Sequence, residues 1–395
     1  MIKRRKKYHM PYQKSSKKLI FTNLEVALAV IPVAILSKLI RYFILSDKLI
    51  DSSSANSILE LVLDPNFSLL DKGTNSFNFA AAIFKFINFF NFNTVYQWEI
   101  YLTIIFNIVL MIFILKCYHY INVRQCLFLL ASAGLLNMFV FNLGKDILQF
   151  VIFILVFAVL KTEKLSQQTR LILSCAVLLI SGLWFRVYYV LIAGFTLYFY
   201  FVMRAASKII KSKWKQILAV FAIFYVSFFI VTVLMKLISP HSYNILINIR
   251  ENTLSNLLKY GSYPETAIKE LIVSNNILAF FINHMISVIR MILPVELIFK
   301  GIKYIPFVIF QCIVVYNIVF IAKHKSVTDD EILPAVAICI GFLLGSAVFE
   351  PDFGSWVRHE IAIFPVLYII FEFIDKETKT AVTKVSKYIK KEVIR

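Results

Sequence analysis

The sequence predicts an all-α fold: a polytopic helical bundle integral to a membrane, with about 10–11 transmembrane helices. Three observations lead there. Of 395 residues, 59% are hydrophobic and only 16% charged, where a soluble domain carries roughly 25% charged residues. Mean hydropathy is +0.77. The apolar residues fall into runs near the roughly 20 residues that a spanning helix needs, and basic residues gather in the short segments between them, as the positive-inside rule expects.

Taken in order, residues 1–20 hold 8 Lys and Arg and read as a basic cytoplasmic N-terminus. The apolar stretch that follows lacks a convincing small-residue cleavage site, so it is expected as a retained first helix. The spans predicted from the apolar runs are 21–44, 98–118, 125–143, 147–160, 171–185, 187–203, 216–238, 304–322, 332–349 and 361–374. The stretch 171–203 is apolar except for Arg186, is too long for one crossing, and fits a tight hairpin turning near that arginine. With the start inside, the inside segments collect 27 Lys and Arg against 7 Asp and Glu, whereas the outside segments hold only 12 basic residues. Residues 277–299, with His284 and Arg290, resist this scheme. A single crossing there would turn the basic tail outward, so a re-entrant or interfacial element, or a short helical hairpin, is expected.

The organisation is therefore one membrane domain over 21–374, outside loops at 46–97 and 239–303, and a basic cytoplasmic tail at 375–395. The first loop carries an amphipathic patch from Phe77 to Phe90. The second contains Arg250, Glu251 and Tyr260-Gly261-Ser262-Tyr263-Pro264. Loops this long are usually functional or disordered.

Several function classes drop out. A net charge of +19 could point to nucleic acid, but no domain-length polar region carries it. The five cysteines lie in or beside apolar runs without paired spacing, so neither a zinc site nor a disulfide framework is indicated. Phosphate-loop, dinucleotide, zinc-protease and nucleophile-elbow motifs are absent in suitable context, and the inside segments are too short for an ATPase domain.

The densest chemistry is Glu350-Pro351-Asp352-Phe353-Gly354-Ser355-Trp356-Val357-Arg358-His359-Glu360, with five ionisable side chains in eleven residues between apolar runs. Such groups are expensive near lipid and mark candidate sites. In the predicted topology Lys145, Asp146, Arg186, Arg250, Arg290, Arg358 and His359 all approach the outer face. Arginines with a lysine suit a diphosphate-bearing lipid; Glu350, Asp352, His359 and Glu360 could supply acid or base chemistry. Each has a plainer reading. Asp146 could cap the helix it opens; Arg186 could snorkel among Trp184, Phe185, Tyr188 and Tyr189; Arg358 and His359 could form a boundary pair with Glu360. His284 reads more readily as a satisfied interior histidine, and Arg250 as solvated. Lys38, Arg41 and Lys236 lie close enough to span ends to snorkel.

Three elements together resemble the Wzy/EpsG-like oligosaccharide repeat-unit polymerases of O-antigen, capsule and exopolysaccharide synthesis. They are Asn142-Leu143-Gly144-Lys145-Asp146-Ile147-Leu148, Trp184-Phe185-Arg186-Val187-Tyr188-Tyr189, and the Glu350–Glu360 segment leading into Phe364-Pro365. The likeness covers most of the chain in topology and three short motifs in sequence. Glu360 departs from it, since a less acidic residue is expected after the Arg-His pair. The resemblance implies a GT-C-like glycosyltransferase using neither metal, cofactor nor nucleotide sugar. It would work at the outer face of a bacterial cytoplasmic membrane, moving an oligosaccharide from undecaprenyl diphosphate onto another lipid-linked repeat unit. On that reading Arg186, Arg358 and Lys145 hold the diphosphate, with Arg290 and Arg250 as further substrate-binding candidates. His359 or Asp352 activates the acceptor, and Glu350 is the reserve base. The expected partners are the lipid-linked oligosaccharide and membrane lipid, with a chain-length regulator on the basic inside segments left open. Three rivals stay open: a flippase for the same lipid-linked oligosaccharide, a GT-C enzyme using a lipid monophosphate sugar (Asp47 and Asp51 being non-adjacent), and a structural subunit.

Overall fold

A computed structural model of the chain describes residues 20–45, 52–68, 75–117, 120–259, 266–272, 276–324, 332–350 and 352–373. Of these, 83% are helical. Four helices are long and apolar enough to cross a membrane: α1 (Asn23–Phe43), α4 (Val95–Cys117), α8 (Tyr188–Ile209) and α9 (Lys213–Ile238). Shorter apolar helices accompany them, and large side chains such as Val187, Ile209 and Phe299 are at least 80% exposed on the outside of the bundle. Leaving such surface in water costs about 25 cal/mol per Å², so the apolar helices point to a multi-pass membrane protein.

The only named strands among the described residues form a small clasp. β1 (Ile20–Thr22) pairs antiparallel with β2 (Tyr120–Asn122), in the register Phe21 to Ile121. Each strand ends in a helix cap. Thr22 and Glu25 form a capping box that opens α1, and Asn122 and Gln125 form a second that opens α5 (Val123–Phe139). The clasp thus fixes the starts of α1 and α5 side by side, and the two helices pack along their length. A Cβ on Gly134 would approach Ser37 Oγ at 3.3 Å, a measure of how closely they meet. Between α4 and α5, Asn107 and Asn137 exchange amide hydrogen bonds of 2.8 and 2.9 Å. Each amide also donates to a backbone carbonyl, Asn107 to Thr103 O at 2.7 Å and Asn137 to Ala133 O at 2.9 Å, so both are satisfied in an apolar interior.

Sequence and structure agree on the hairpin at Arg186. The helix α6 (Lys145–Leu160) leads to α7 (Gln167–Trp184), which turns through Phe185–Val187 into α8. The most extensive helix pairing joins α8 to α13 (Leu333–Phe349). Gly341 and Gly345, four residues apart, let the backbones close. A Cβ on Gly341 would sit 2.9 Å from Thr196 N, and one on Gly345 would sit 2.8 Å from Ile192 Cγ1. The chain then forms α14 (Phe353–Ala362), breaks at Ile363 and resumes as α15 (Phe364–Phe373). Pro365 has no N–H to continue the preceding helix but suits the first turn of a new one. Every described residue of α15 is buried, and Phe128 stacks on Phe371 with centroids 3.7 Å apart. This last described helix lies inside the bundle, not at its edge.

The two segments expected outside differ from plain loops. Residues 46–97 contain α2 (Ser52–Leu63) and α3 (Ser76–Phe86), which pack together; Asn75 caps the latter. Residues 239–303 contain α10 (Pro240–Lys259), with Pro240 in its first position, and α11 (Ile277–Ile292), followed by 3-10 turns at Val295–Lys300 and Ile302–Tyr304. The helix α12 (Ile305–His324) comes next. The segment 277–299 is thus one 16-residue helix ending in tight turns, packed on α9 and α13. Tyr260-Gly261-Ser262-Tyr263-Pro264, Asp47 and Asp51 lie outside the described residues.

Candidate functional site

Three segments remote in sequence meet at one carboxylate. Asp146 is placed by the first turn of α6, Arg186 by the α7–α8 turn, and Arg358 and His359 by α14. Arg186 Nη2 donates to Asp146 Oδ1 at 2.8 Å; Arg358 Nε lies 3.5 Å from Oδ2, and His359 Nε2 lies 3.3 Å from Oδ1. Asp146, Arg186 and His359 are all at most 7% exposed. Burying any one alone would be costly; together, two carboxylates (Asp146 and Glu350) and two guanidiniums nearly cancel.

Arg186 is fully occupied within the protein. Besides Asp146 it donates through Nη1 to Gln149 Oε1 at 2.9 Å and to Tyr188 OH at 2.6 Å, and it meets His359 Nε2 at 2.7 Å. Gln149 in turn donates to the His359 carbonyl at 2.9 Å, which ties α6 to α14. Arg186 is therefore an interior strut and does not snorkel. His359 Nδ1 lies 2.7 Å from Glu350 Oε1, close but not aligned as a hydrogen bond. Arg186 Nη1 has two protons for three neighbours, and the two ring nitrogens of His359 face a carboxylate each, Nε2 towards Asp146 and Nδ1 towards Glu350. Glu350 sits between α13 and α14. Burial pushes its carboxyl up, but the adjacent His359 and the charges of Arg186 and Arg358 outweigh that and hold it below the usual carboxylate range.

Asp352 is engaged elsewhere. It caps α14, accepting from Ser355 N and Ser355 Oγ, both at 2.9 Å, and it lies 3.4 Å from Thr266 Oγ1. Ala267 bridges to Asp352 in the backbone, and Phe353 N donates to Thr266 O at 3.0 Å. The cap thus anchors α14 to the segment around Thr266 and Ala267. Ser355 Oγ also accepts from Arg358 Nη2 at 3.2 Å, so the cap helps aim that guanidinium.

The remaining candidates divide. Lys145, beside Asp146, holds its Nζ 4.1 Å over the Phe77 ring of α3. Arg290 stands apart from the cluster, making a two-pronged pair with Glu296 at 3.0 and 2.6 Å and donating to Lys269 O at 2.7 Å. Arg250 lies in α10, and its side chain is outside the described residues. His284 is an interior histidine, with Tyr225 OH 3.3 Å from Nδ1 and Leu344 O 3.1 Å from Nε2. Glu360 is buried on another side of α14, near Gln311 and Cys339.

Two cations on α1, Lys38 and Arg41, which the sequence reads as snorkelling, turn inward instead. Arg41 does not snorkel: it is 3% exposed, donates to Met138 O at 2.6 Å and pairs with Glu99 of α4 at 3.1 Å. Tyr42 OH donates to the same carboxylate. Lys38 donates to Phe141 O at 2.9 Å and to Asn142 Oδ1 at 2.6 Å. Lys236, by contrast, is exposed on α9 near Tyr243, as a snorkelling lysine would be. The sequence signal was available: Lys38 and Arg41 are three apart, on one face of a helix too apolar to keep them for solubility.

Arg41, Arg358, Lys145, Asp146 and Asn142 line one small recess of about 30 Å³, which Ser54 and Ala55 of α2 also line. Beside it, an apolar groove runs between α5, α12 and α14, past Met138, Phe307, Phe353 and Val357. Phe139 borders both. Among the described residues no group of His, Cys, Asp and Glu is arranged to hold a metal ion. No family model matches the chain, and no curated protein or solved structure gives a significant match to it.

Proposed function

We propose that the chain is a membrane-embedded glycosyltransferase of the repeat-unit polymerase type. In this reading it transfers an oligosaccharide from a polyprenyl diphosphate onto the end of another lipid-linked repeat unit, at the outer face of a bacterial cytoplasmic membrane. The observation that carries it is the convergence of Asp146, Arg186, Glu350, Arg358 and His359 from separate segments beside a recess walled by cations and an apolar groove. A polar group-transfer site flush with a hydrocarbon-lined groove suits an amphiphilic donor. About ten spans, with both termini in the cytoplasm, would place this end of the bundle outside.

The parts divide by chemistry. An acceptor hydroxyl needs a base, and His359, oriented through Nδ1 by Glu350, offers Nε2. In the resting arrangement Arg186 Nη1 lies 2.7 Å from that nitrogen; the acceptor hydroxyl takes its place on binding. The departing diphosphate needs positive charge, which Arg358 and Lys145 supply at the recess. Asp352 serves by capping α14 and steadying Arg358 through Ser355. Cells lacking the chain should export single repeat units but no ladder of longer polymers, and restoring the wild-type chain should bring the ladder back. Repeat units trapped on the cytoplasmic face would instead make the chain a transporter.

A further inference from the structure

The turn from α3 to α4 carries aromatic side chains that nothing in the protein covers. Phe86, Phe89 and Phe90 are 78%, 73% and 65% exposed, and no Asp, Glu, Lys or Arg stands between Lys85 and Glu99. Lys85 itself bends back, donating to Asp64 O at 2.7 Å. Asparagines hold the turn in shape. Asn88 donates through Nδ2 to Phe92 O at 3.1 Å and accepts at Oδ1 from Phe92 N at 2.8 Å, while Asn91 takes the left-handed φ of 53° that closes the bend. Gln97 Oε1 accepts from Asn93 N and Thr94 N at 3.0 and 3.2 Å. Backbone groups that find partners inside a turn lower the cost of taking it out of water.

The turn also lies alongside α4 and not beyond its end. The Phe90 and Phe92 rings are centred 5.8 and 5.2 Å from the ring of Tyr101, and Phe92 is 5.4 Å from Trp98. Tyr101 lies about 9 Å along the helix from its start at Val95. The aromatic turn is therefore level with the first turns of a helix long and apolar enough to cross a membrane. On that helix Ile100, Ile104 and Ile108 recur every four residues and are all exposed, a stripe that faces lipid in a spanning helix. Phe90 packs edge-on against Tyr101, next to Ile100, so the exposed phenylalanines extend the apolar surface of α4.

We propose that the α3–α4 turn is a membrane-inserted anchor, with Phe86, Phe89 and Phe90 seated among the lipid carbonyls and upper acyl chains of the bilayer. Aromatic side chains are favoured in that layer, and the absence of charge from Phe86 to Trp98 lets the turn enter it. A segment expected to run free outside the membrane is thus pinned to its surface. The anchor carries with it the α2–α3 pair, whose Ala55 lines the recess and whose Phe77 lies under the Lys145 ammonium. One wall of the candidate site is in this way held at a fixed height above the lipid. Insertion needs only the membrane character of the chain, whatever reaction the recess serves.

The test uses the full chain reconstituted in phosphatidylcholine–phosphatidylglycerol liposomes whose acyl chains are brominated near the carbonyl end. Phe89→Trp adds one indole at the turn, and its emission is read as the difference from the wild-type chain with its four tryptophans. Ile104→Trp, on the stripe of α4, and Glu60→Trp, on the exposed side of α2, serve as lipid and water references. Brominated lipid should quench the added emission of Phe89→Trp about twofold or more beyond that of Glu60→Trp, and acrylamide should reach it less. Phe86→Trp should behave alike, and it serves if Phe89→Trp does not fold. Quenching by acrylamide and not by lipid, as for Glu60→Trp, overturns the anchor by placing the turn in water. Shielding from both quenchers overturns it too, since a second copy of the chain or another protein then covers the phenylalanines.

Discussion

Asp146→Asn is the sharpest perturbation of the cluster, because it removes one charge while keeping the shape. In the native chain Asp146 faces Arg186 at 2.8 Å and Arg358 at 3.5 Å, with side-chain exposures of 6% and 17% for the two arginines. The asparagine oxygen can still accept one of these donors, so geometry survives. What disappears is the carboxylate charge that the two guanidiniums share. Arg358 recovers part of its loss in solvent, whereas Arg186 cannot. Breaking a buried pair by removing one partner costs about 3–5 kcal/mol, and Asp146→Asn should fall in that range. A second variant separates charge from packing. With Arg186→Gln already present, Asp146→Asn should cost about 1–3 kcal/mol less than it does alone. The assay is equilibrium unfolding of the purified chain in mixed micelles, with all four members of the cycle measured together. A cost below about 1 kcal/mol for Asp146→Asn, or strict additivity with Arg186→Gln, would refute the claim that Asp146 is the electrostatic centre.

Other expectations follow from single contacts. Glu350→Gln keeps size but loses the anion beside His359 Nδ1; polymer yield should drop at least tenfold while the chain still folds and inserts, seen by blotting membranes beside the polysaccharide gel. Asp352→Ala removes the cap of α14 and should cost about 0.5–2 kcal/mol in micelle unfolding, with Asp352→Asn restoring most of it. Gly341→Leu must push α13 off Thr196 and should lower stability by about 1–3 kcal/mol or more, whereas Gly194→Ala, whose added Cβ meets nothing within 4 Å, should be near neutral. Arg290→Ala removes a partly exposed pair with Glu296, worth at most about 1 kcal/mol, and polymer length should not change.

Composition and charge placement made the helical, membrane-embedded class legible, and the turn at Arg186 could be read from one charge inside a long apolar stretch. The helices within residues 46–97 and 239–303 were less visible. α10 mixes Asn, Arg and Glu with Ile and Leu, so neither an apolar run nor a clear stripe marks it. The close approach of α8 and α13 was written in Gly341 and Gly345, whose spacing allows near backbone contact. For the site, Lys145, Asp146, Arg186, Glu350, Arg358 and His359 could be singled out because charge near lipid is costly. Sequence could not show which of them use up one another. Asp352 has the side chain of a base but its oxygens cap a helix. Arg186 has the side chain of a phosphate ligand but is held by Asp146, Gln149, Tyr188 and His359. Arg41 sits near a helix end like any snorkelling residue, but Glu99 and the Met138 carbonyl turn it inward.

The central claim is that this chain itself joins lipid-linked repeat units, using the Arg358–His359 site. Reconstituting the purified protein in liposomes with polyprenyl-diphosphate-linked repeat units, and resolving the products on a gel, tests it most directly. The wild-type chain should build a ladder of multiples of the repeat unit, and Arg358→Ala, equally well reconstituted, should leave single units. A ladder of the same length from Arg358→Ala would contradict the assignment of the site, and single units from the wild-type chain would contradict the polymerase reading itself.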